Sequence, residues 1–113
     1  MNLVEEARKT LRMEIRSNSR GSEYLEAVID TKDLDLLTSL LGKHLGRAAK
    51  EPGREANLPK EIQRLVDSLG GLRKDQSFFY RQDGSKITFG LIWPWESDPG
   101  KATLKSGVCR CTG

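Results

Sequence analysis

Large apolar side chains are densest between Lys86 and Trp95, in the run KITFGLIWPW, which holds both tryptophans of the chain. The shorter run SFFYRQ precedes it, and Asp83 and Gly84 lie close to the junction of the two runs. Asp-Gly between apolar runs is typical of a tight β-hairpin, because a type I′ turn needs positive φ at both central residues. The pattern therefore predicts a hairpin that turns at Asp83-Gly84.

This turn predicts a register in which Gln82 faces Ser85 and Tyr80 pairs with Ile87. Residues that face each other on paired strands share one face of the sheet. The register therefore gathers the large apolar groups on one face, and a slip of one residue would scatter them. The predicted apolar face consists of Phe78, Tyr80, Ile87, Phe89, Leu91 and Trp93.

Two residues of the second strand qualify this picture. Gly90 has no side chain to pack, so it predicts either a bulge or the close approach of another element. Pro94 cannot donate a hydrogen bond to a neighbouring strand, so regular pairing is expected to end near Trp93. The face opposite the apolar one is mixed, and we expect it to be only partly covered.

The first thirty residues fit two patterns. The spacing of Leu3, Ala7, Leu11 and Ile15 is helical, which favours one helix followed by a second. Alternatively a short helix ends near Lys9, and the runs TLRMEIRS and EYLEAVID alternate as the strands of a second hairpin. Both assignments stay open on the sequence alone.

Two amphipathic helices are predicted in the middle of the chain, and their apolar stripes are expected to form the core together with the apolar face of the hairpin. The stripes consist of Leu34, Leu37 and Leu41 in the first helix and of Ile62, Leu65, Val66 and Leu69 in the second. The first begins at a Thr31 cap and ends near Leu45, and the second begins at Pro59 and ends before Gly70. Between them, residues 46–58 combine proline, glycine and alternating charge with few large apolar groups. We expect this segment to be a mobile connection.

The C-terminal part is predicted to return as a third strand, ATLKSGVCRC, after a type II turn at Pro99-Gly100. Gly107 is expected to mark a bulge in it. The whole chain, 1–113, is therefore predicted to be a single α+β domain. Its architecture is an antiparallel β-meander of three or more strands with two or three helices packed on one face.

Size and charge restrict the function classes. With 113 residues the chain is long enough to bury a core without disulfides or a metal. Nineteen basic residues are offset by 16 acidic ones, a small excess for a dedicated nucleic-acid-binding protein. The N-terminal run MNLVEEARK lacks the apolar segment of a signal peptide, and no stretch has transmembrane length. A cytoplasmic protein that does not contact membranes is expected.

The sequence contains no phosphate-binding loop, dinucleotide fingerprint or nucleophile elbow. Its single histidine, His44, lies near a predicted helix end, where a surface residue that complements the helix dipole is the more common role. We therefore expect a non-enzymatic protein that carries no cofactor.

The first candidate site is Trp93-Pro94-Trp95, because tryptophans held by a proline form a stiff surface of the kind that anchors protein partners. Alternatively the indoles close the end of the core, which is the expectation for Trp93 because it continues the apolar face. For Trp95 both interpretations stay open. The leading hypothesis is a binding or regulatory module that contacts a protein partner, or a second copy of itself, near Trp95.

The second candidate is a basic surface of Arg47, Lys50, Arg54 and Arg64. Phosphate contacts need only accessible positive charge, so these residues predict weak nucleic-acid binding as the alternative function. The competing interpretation is an ordinary solvated surface diluted by nearby glutamates.

The third candidate is the thiol pair Cys109 and Cys111, which would project from the same face of a strand. Two thiols are too few for a structural zinc site, which wants four ligands. We expect inert terminal thiols, with metal binding or a redox role as the alternative.

Overall fold

The structure, a computed structural model, describes residues 3–11, 13–17, 19, 23–51, 53–54, 58–71 and 75–110. Its helices and strands are, in chain order, α1 (Leu3–Thr10), β1 (Met13–Ile15), β2 (Tyr24–Asp30), α2 (Leu34–Leu45), α3 (Lys60–Ser68), β3 (Ser77–Asp83), β4 (Lys86–Pro94) and β5 (Lys101–Arg110). A single 3₁₀ turn, Thr31–Asp33, precedes α2.

One antiparallel sheet contains all five of these strands in the order β1-β2-β5-β4-β3. The predicted α+β class and the meander β3-β4-β5 are confirmed. The N-terminal segment is the helix and hairpin rather than two helices, and β2 lies in the interior of the sheet between β1 and β5. β2 pairs with β5 along its whole length, and its alternating residues Leu25, Ala27 and Ile29 are buried in the apolar cluster that includes residues of α1 and α2.

The predicted register of the β3–β4 hairpin is wrong. Tyr80 pairs with Phe89 rather than with Ile87, and the two residues in the turn are Gly84 and Ser85. Gly84 has a φ of 61°, whereas Ser85 has a negative φ, which fits a type II′ turn with glycine in the first central position. The predicted face is nevertheless retained, because moving the turn by one residue changes every pairing by two.

The helices lie on both faces of the sheet, not on one as predicted. Helices α1 and α2 pack on the face that carries Phe79 and Ile92. Helix α3 packs on the opposite face, against Phe78 and Leu91. The face that was predicted to be mixed and only partly covered is therefore covered by α1 and α2. Gly90 has no side chain, and this leaves room for Leu41 of α2.

Most of the predicted core is buried on one face or the other. The predicted residues that are buried are Leu37, Leu41, Ile62, Leu65, Val66, Phe78, Ile87, Phe89 and Leu91. Those that are only half-buried are Leu34, Leu69, Tyr80 and Trp93. The burial of α1 was not foreseen, since the assignment of the first thirty residues was open.

Two further local predictions are wrong. Lys101 N donates to Asp98 O at 3.1 Å, so Pro99-Gly100 does form a turn, but Gly100 lacks the positive φ of a type II turn. The Asp98 side chain accepts from Gly100 N at 3.0 Å, which stabilises this turn instead. Gly107 pairs regularly with Tyr24 and does not form a bulge.

The predicted boundaries of the two middle helices are close to those observed. Helix α2 ends at Leu45 before Gly46, and α3 begins after Pro59. The predicted Thr31 cap is replaced by Asp33 at the start of α2. Helix α3 ends before Gly70 and Gly71, which adopt φ values of 106° and 82°.

Within its described residues, the segment 46–58 is attached to the sheet by backbone hydrogen bonds to Phe78. Ala49 N and Lys50 N both donate to Phe78 O, at 2.8 and 3.1 Å, and Phe78 N donates to Lys50 O at 3.1 Å. This bridge covers part of the outer edge of β3. Residues 52 and 55–57 lie outside the described residues, so the mobility of the segment stays a prediction.

Candidate binding cleft

A cleft of about 700 Å³ lies beside α3 on the same face of the sheet. Trp93 of β4 pairs with Thr103 of β5, so both side chains stand on this face, next to Lys105 two residues along. Residues around the β1–β2 connection and the turn after β4 complete the walls. The charged and aromatic side chains that line the cleft, together with one threonine, are Arg16, Glu26, Trp93, Trp95, Glu96, Thr103 and Lys105.

Trp93 forms the wall between the cleft and α3. A Cβ atom on Gly70 would lie 3.2 Å from the indole ring, so the ring packs directly on the end of the helix. Lys105 Nζ lies 4.7 Å from the ring centroid and donates to Leu69 O at 2.9 Å. A lysine at the C-terminal carbonyls of a helix also complements the helix dipole. Trp93 thus packs against the end of α3 and borders the cleft at once.

Trp95 lies beyond Pro94 and is fixed against β5. Its backbone N donates to Lys101 O at 3.1 Å, and its indole Nε1 donates to Thr103 Oγ1 at 2.8 Å. Lys101 Nζ lies 5.9 Å from the ring centroid, within the range of a cation–π contact. The ring is half-buried and its polar group is already bonded, so its apolar surface is what it offers to a ligand.

The charges in the cleft are balanced. Arg16 and Lys105 contribute positive charge, and Glu26 and Glu96 contribute negative charge. Tyr24 donates its hydroxyl to Glu26 Oε1 at 2.8 Å, which orients that carboxylate. Such a surface favours a ligand of low net charge over a polyanion.

Lys50, one of the predicted nucleic-acid contacts, is buried with an exposed fraction of 6%. Its Nζ donates to Gln76 O at 2.9 Å and to Glu51 O at 3.2 Å. Burial lowers the pKa of the Lys50 ammonium, an effect that the nearby Asp75 carboxylate opposes. Lys50 therefore attaches the segment after α2 to the start of β3 rather than presenting charge to solvent.

The other basic candidates are exposed. Arg54 Nε lies 3.6 Å from Glu51 Oε2, while Arg47 follows α2 and Arg64 lies on α3, helices that occupy opposite faces of the sheet. With Lys50 buried, the four predicted residues do not form one exposed basic surface.

Cys109 lies on β5, pairs with Ile87 and is half-buried beside the apolar cluster under α3. Cys111 lies outside the described residues. In the part of the chain that the structure describes, no three His, Cys, Asp or Glu side chains gather as metal ligands would.

One charged cluster was missed by the sequence analysis. Glu6 on α1 accepts a hydrogen bond from Lys43 Nζ at 2.9 Å and also contacts His44 Nε2, both on α2. These hydrogen bonds hold the pKa of Glu6 below its ordinary value of 4.5. Nothing in the sequence signals a contact between residues so far apart in the chain.

The cleft was only partly foreseen. The tryptophans were predicted, and the i, i+2 spacing of Thr103 and Lys105 indicates that they share a face. Their position beside Trp93 follows from the register of β4 with β5, and that of Glu26 beside Lys105 follows from the pairing of β2 with β5. The sequence analysis predicted neither that register nor that pairing.

Comparison with protein-family models, with curated proteins and with solved structures finds no match to this chain. Across the described ranges, no helix is both long and apolar enough to cross a lipid bilayer.

Proposed function

We propose that the protein is a small binding module and that its cleft receives an extended segment of a partner protein. The observation that carries this proposal is the pair of half-buried indoles, Trp93 and Trp95, held in fixed orientations around one cleft. Tryptophans of this kind commonly dominate the free energy of protein association, because a large apolar area is buried with little loss of side-chain freedom.

The size and charge of the cleft support a peptide as the ligand. Its volume falls within the range of about 300–1,000 Å³ that is typical of ligand sites. An extended peptide offers apolar or proline side chains to aromatic rings, and its backbone supplies neutral polar groups. A nucleic acid would instead bring phosphates close to Glu26 and Glu96.

The chain itself supplies a reporter for the test. Trp93 and Trp95 are its two tryptophans, so indole fluorescence reports directly on the cleft. Peptides selected from a display library should change this fluorescence on binding. We expect Trp95→Ala to weaken the binding of a selected peptide by at least about tenfold, as at an aromatic hot spot, when measured by calorimetry.

Leu36→Ala is the matched control. Leu36 is 47% exposed on α2, on the other side of the sheet from the cleft, so its loss should leave peptide affinity unchanged. A selected peptide that binds Trp95→Ala as tightly as the unaltered protein would place the site elsewhere. Salt-sensitive binding of short RNA or DNA that is independent of Trp95 would favour the basic residues instead.

A further inference from the structure

The outer edge of β1 has unpaired backbone groups in the described part of the chain. Arg16 N donates to Glu26 O at 2.7 Å, and Glu14 pairs with Val28 in the same register. Because alternate residues of an antiparallel strand direct their backbone groups at the same neighbour, Glu14 points its amide and carbonyl at β2, on the same side as the amide of Arg16. The amides and carbonyls of Met13 and Ile15 therefore point away from the sheet.

The two edges of the sheet differ. Part of the β3 edge is covered by the bridge from Lys50 to Phe78. On the outer side of β1 the described residues place no strand, and Ile15 has 44% of its surface exposed. An edge that combines free backbone groups with an exposed apolar side chain is suited to pairing with another strand.

Residues 14–16 have side chains that complement those of a second copy of the same segment running antiparallel. If Ile15 faces Ile15 of a second copy, each Glu14 faces an Arg16 across the new pairing. The outward backbone groups of Ile15 then meet each other, which the alternation of the ladder requires. Centring the pairing on Glu14 instead would set two carboxylates side by side, which is unfavourable.

We propose that the protein forms a twofold dimer in which β1 pairs antiparallel with β1 of a second copy. The pairing joins two five-stranded sheets into one, buries Ile15 against its copy and forms two Glu14–Arg16 ion pairs. The same patch is used by both subunits, as in other isologous dimers. Because β1 is short, we expect the dimer to be weak. This proposal does not rest on the peptide cleft, although Arg16 also lines that cleft.

The test is sedimentation equilibrium of the full chain over a wide range of protein concentration. We expect a monomer–dimer equilibrium. Glu14→Arg sets two arginines against each other at each ion pair, and Arg16→Glu sets two glutamates, so each change should weaken dimerisation by about tenfold. The double variant Glu14→Arg/Arg16→Glu restores opposite charges and should dimerise like the unaltered protein.

An equimolar mixture of the two single variants should form a heterodimer, because their charges are complementary. Leu36→Lys, which alters the other large exposed apolar residue of the described structure, should leave the equilibrium unchanged. Thermal melts by circular dichroism establish that each variant is folded. A protein that is monomeric at every concentration would overturn the proposal, as would a dimer that the single charge reversals do not weaken.

Discussion

At the scale of single residues, two glycines allow approaches that a side chain would block. A Cβ atom on Gly90 would lie 2.5 Å from Leu41 Cδ2, and a Cβ atom on Gly107 would lie 2.3 Å from Glu23 O. The two clashes differ in kind, because the end of the Leu41 side chain can move whereas Glu23 O accepts a backbone hydrogen bond within the sheet. Gly107 is therefore the less replaceable of the two.

A series of glycine-to-alanine variants tests this ranking. We expect Gly107→Ala to lower the free energy of unfolding most, and Gly90→Ala to lower it by about 1–3 kcal/mol, as overpacking typically does. Gly42 on α2 has open space around it, so Gly42→Ala should raise stability by about 0.5–1 kcal/mol through helix propensity. Urea denaturation gives all three values. A Gly107→Ala protein as stable as Gly42→Ala would contradict the structure at this position.

At the scale of elements, the β3–β4 hairpin shows what an apolar pattern determines and what it leaves open. The alternation of Phe78, Tyr80, Phe89 and Leu91 correctly predicts which side chains share a face. It does not locate the turn, because a turn shifted by one residue changes each partner by two positions and preserves every face. Asp-Gly and Gly-Ser are both suitable two-residue turns, so the composition near Gly84 left this choice open.

The remaining elements were harder to predict because their partners are distant in the chain. On the sequence alone, Leu11 and Ile15 fit a helix as well as a strand. In the structure Ile15 lies on β1, which pairs with β2, and β2 pairs in turn with β5 near the other end of the chain. The predicted one-sided packing was wrong because Gly90 accommodates Leu41 and so allows α2 to cover the second face. The cleft depends on the same long-range pairings, so only its tryptophans were identified from the sequence.

The contact between α1 and α2 predicts a pH dependence of stability. The pKa of Glu6 is lowered in the folded protein, first by its hydrogen bond to Lys43 and then by that to His44. The carboxylate therefore stabilises the fold above its ordinary pKa, and this contribution is lost as the pH falls through the lower folded value. Glu6→Gln should be less stable than the unaltered protein near neutral pH.

The difference between the two proteins should shrink toward zero in acid, when both side chains are uncharged. Chemical denaturation at a series of pH values measures it. Glu23→Gln, which alters an exposed carboxylate outside α1 and α2, is the matched control and should show a smaller change near neutral pH. A Glu6→Gln deficit that stays constant down to acid pH would assign the effect to packing rather than to charge.

At the scale of the whole molecule, the sheet separates two apolar clusters of unequal size. The cluster under α1 and α2 contains 15 buried residues, and the cluster under α3 contains seven, among the described residues. Helix α3 contributes only Ile62, Leu65 and Val66 to its cluster. It also borders the cleft, since Leu69 O accepts from Lys105 and Gly70 packs on Trp93. Helix α3 is thus both the less deeply packed layer and the one nearest the proposed ligand.

This asymmetry predicts that α3 opens before the rest of the protein does. Regions with fewer buried apolar contacts exchange their amides through local openings of lower free energy than global unfolding. Native-state hydrogen exchange should therefore give lower opening free energies for the amides of α3 than for those of α2.

A peptide bound in the cleft should raise protection in α3, because it would hold Trp93 and Lys105 against the end of that helix. In Trp95→Ala the same peptide concentration should have less effect, since it binds more weakly. Equal opening free energies for α2 and α3 would mean that the two layers unfold as one unit, and a peptide that protects α2 alone would place the ligand on the opposite face.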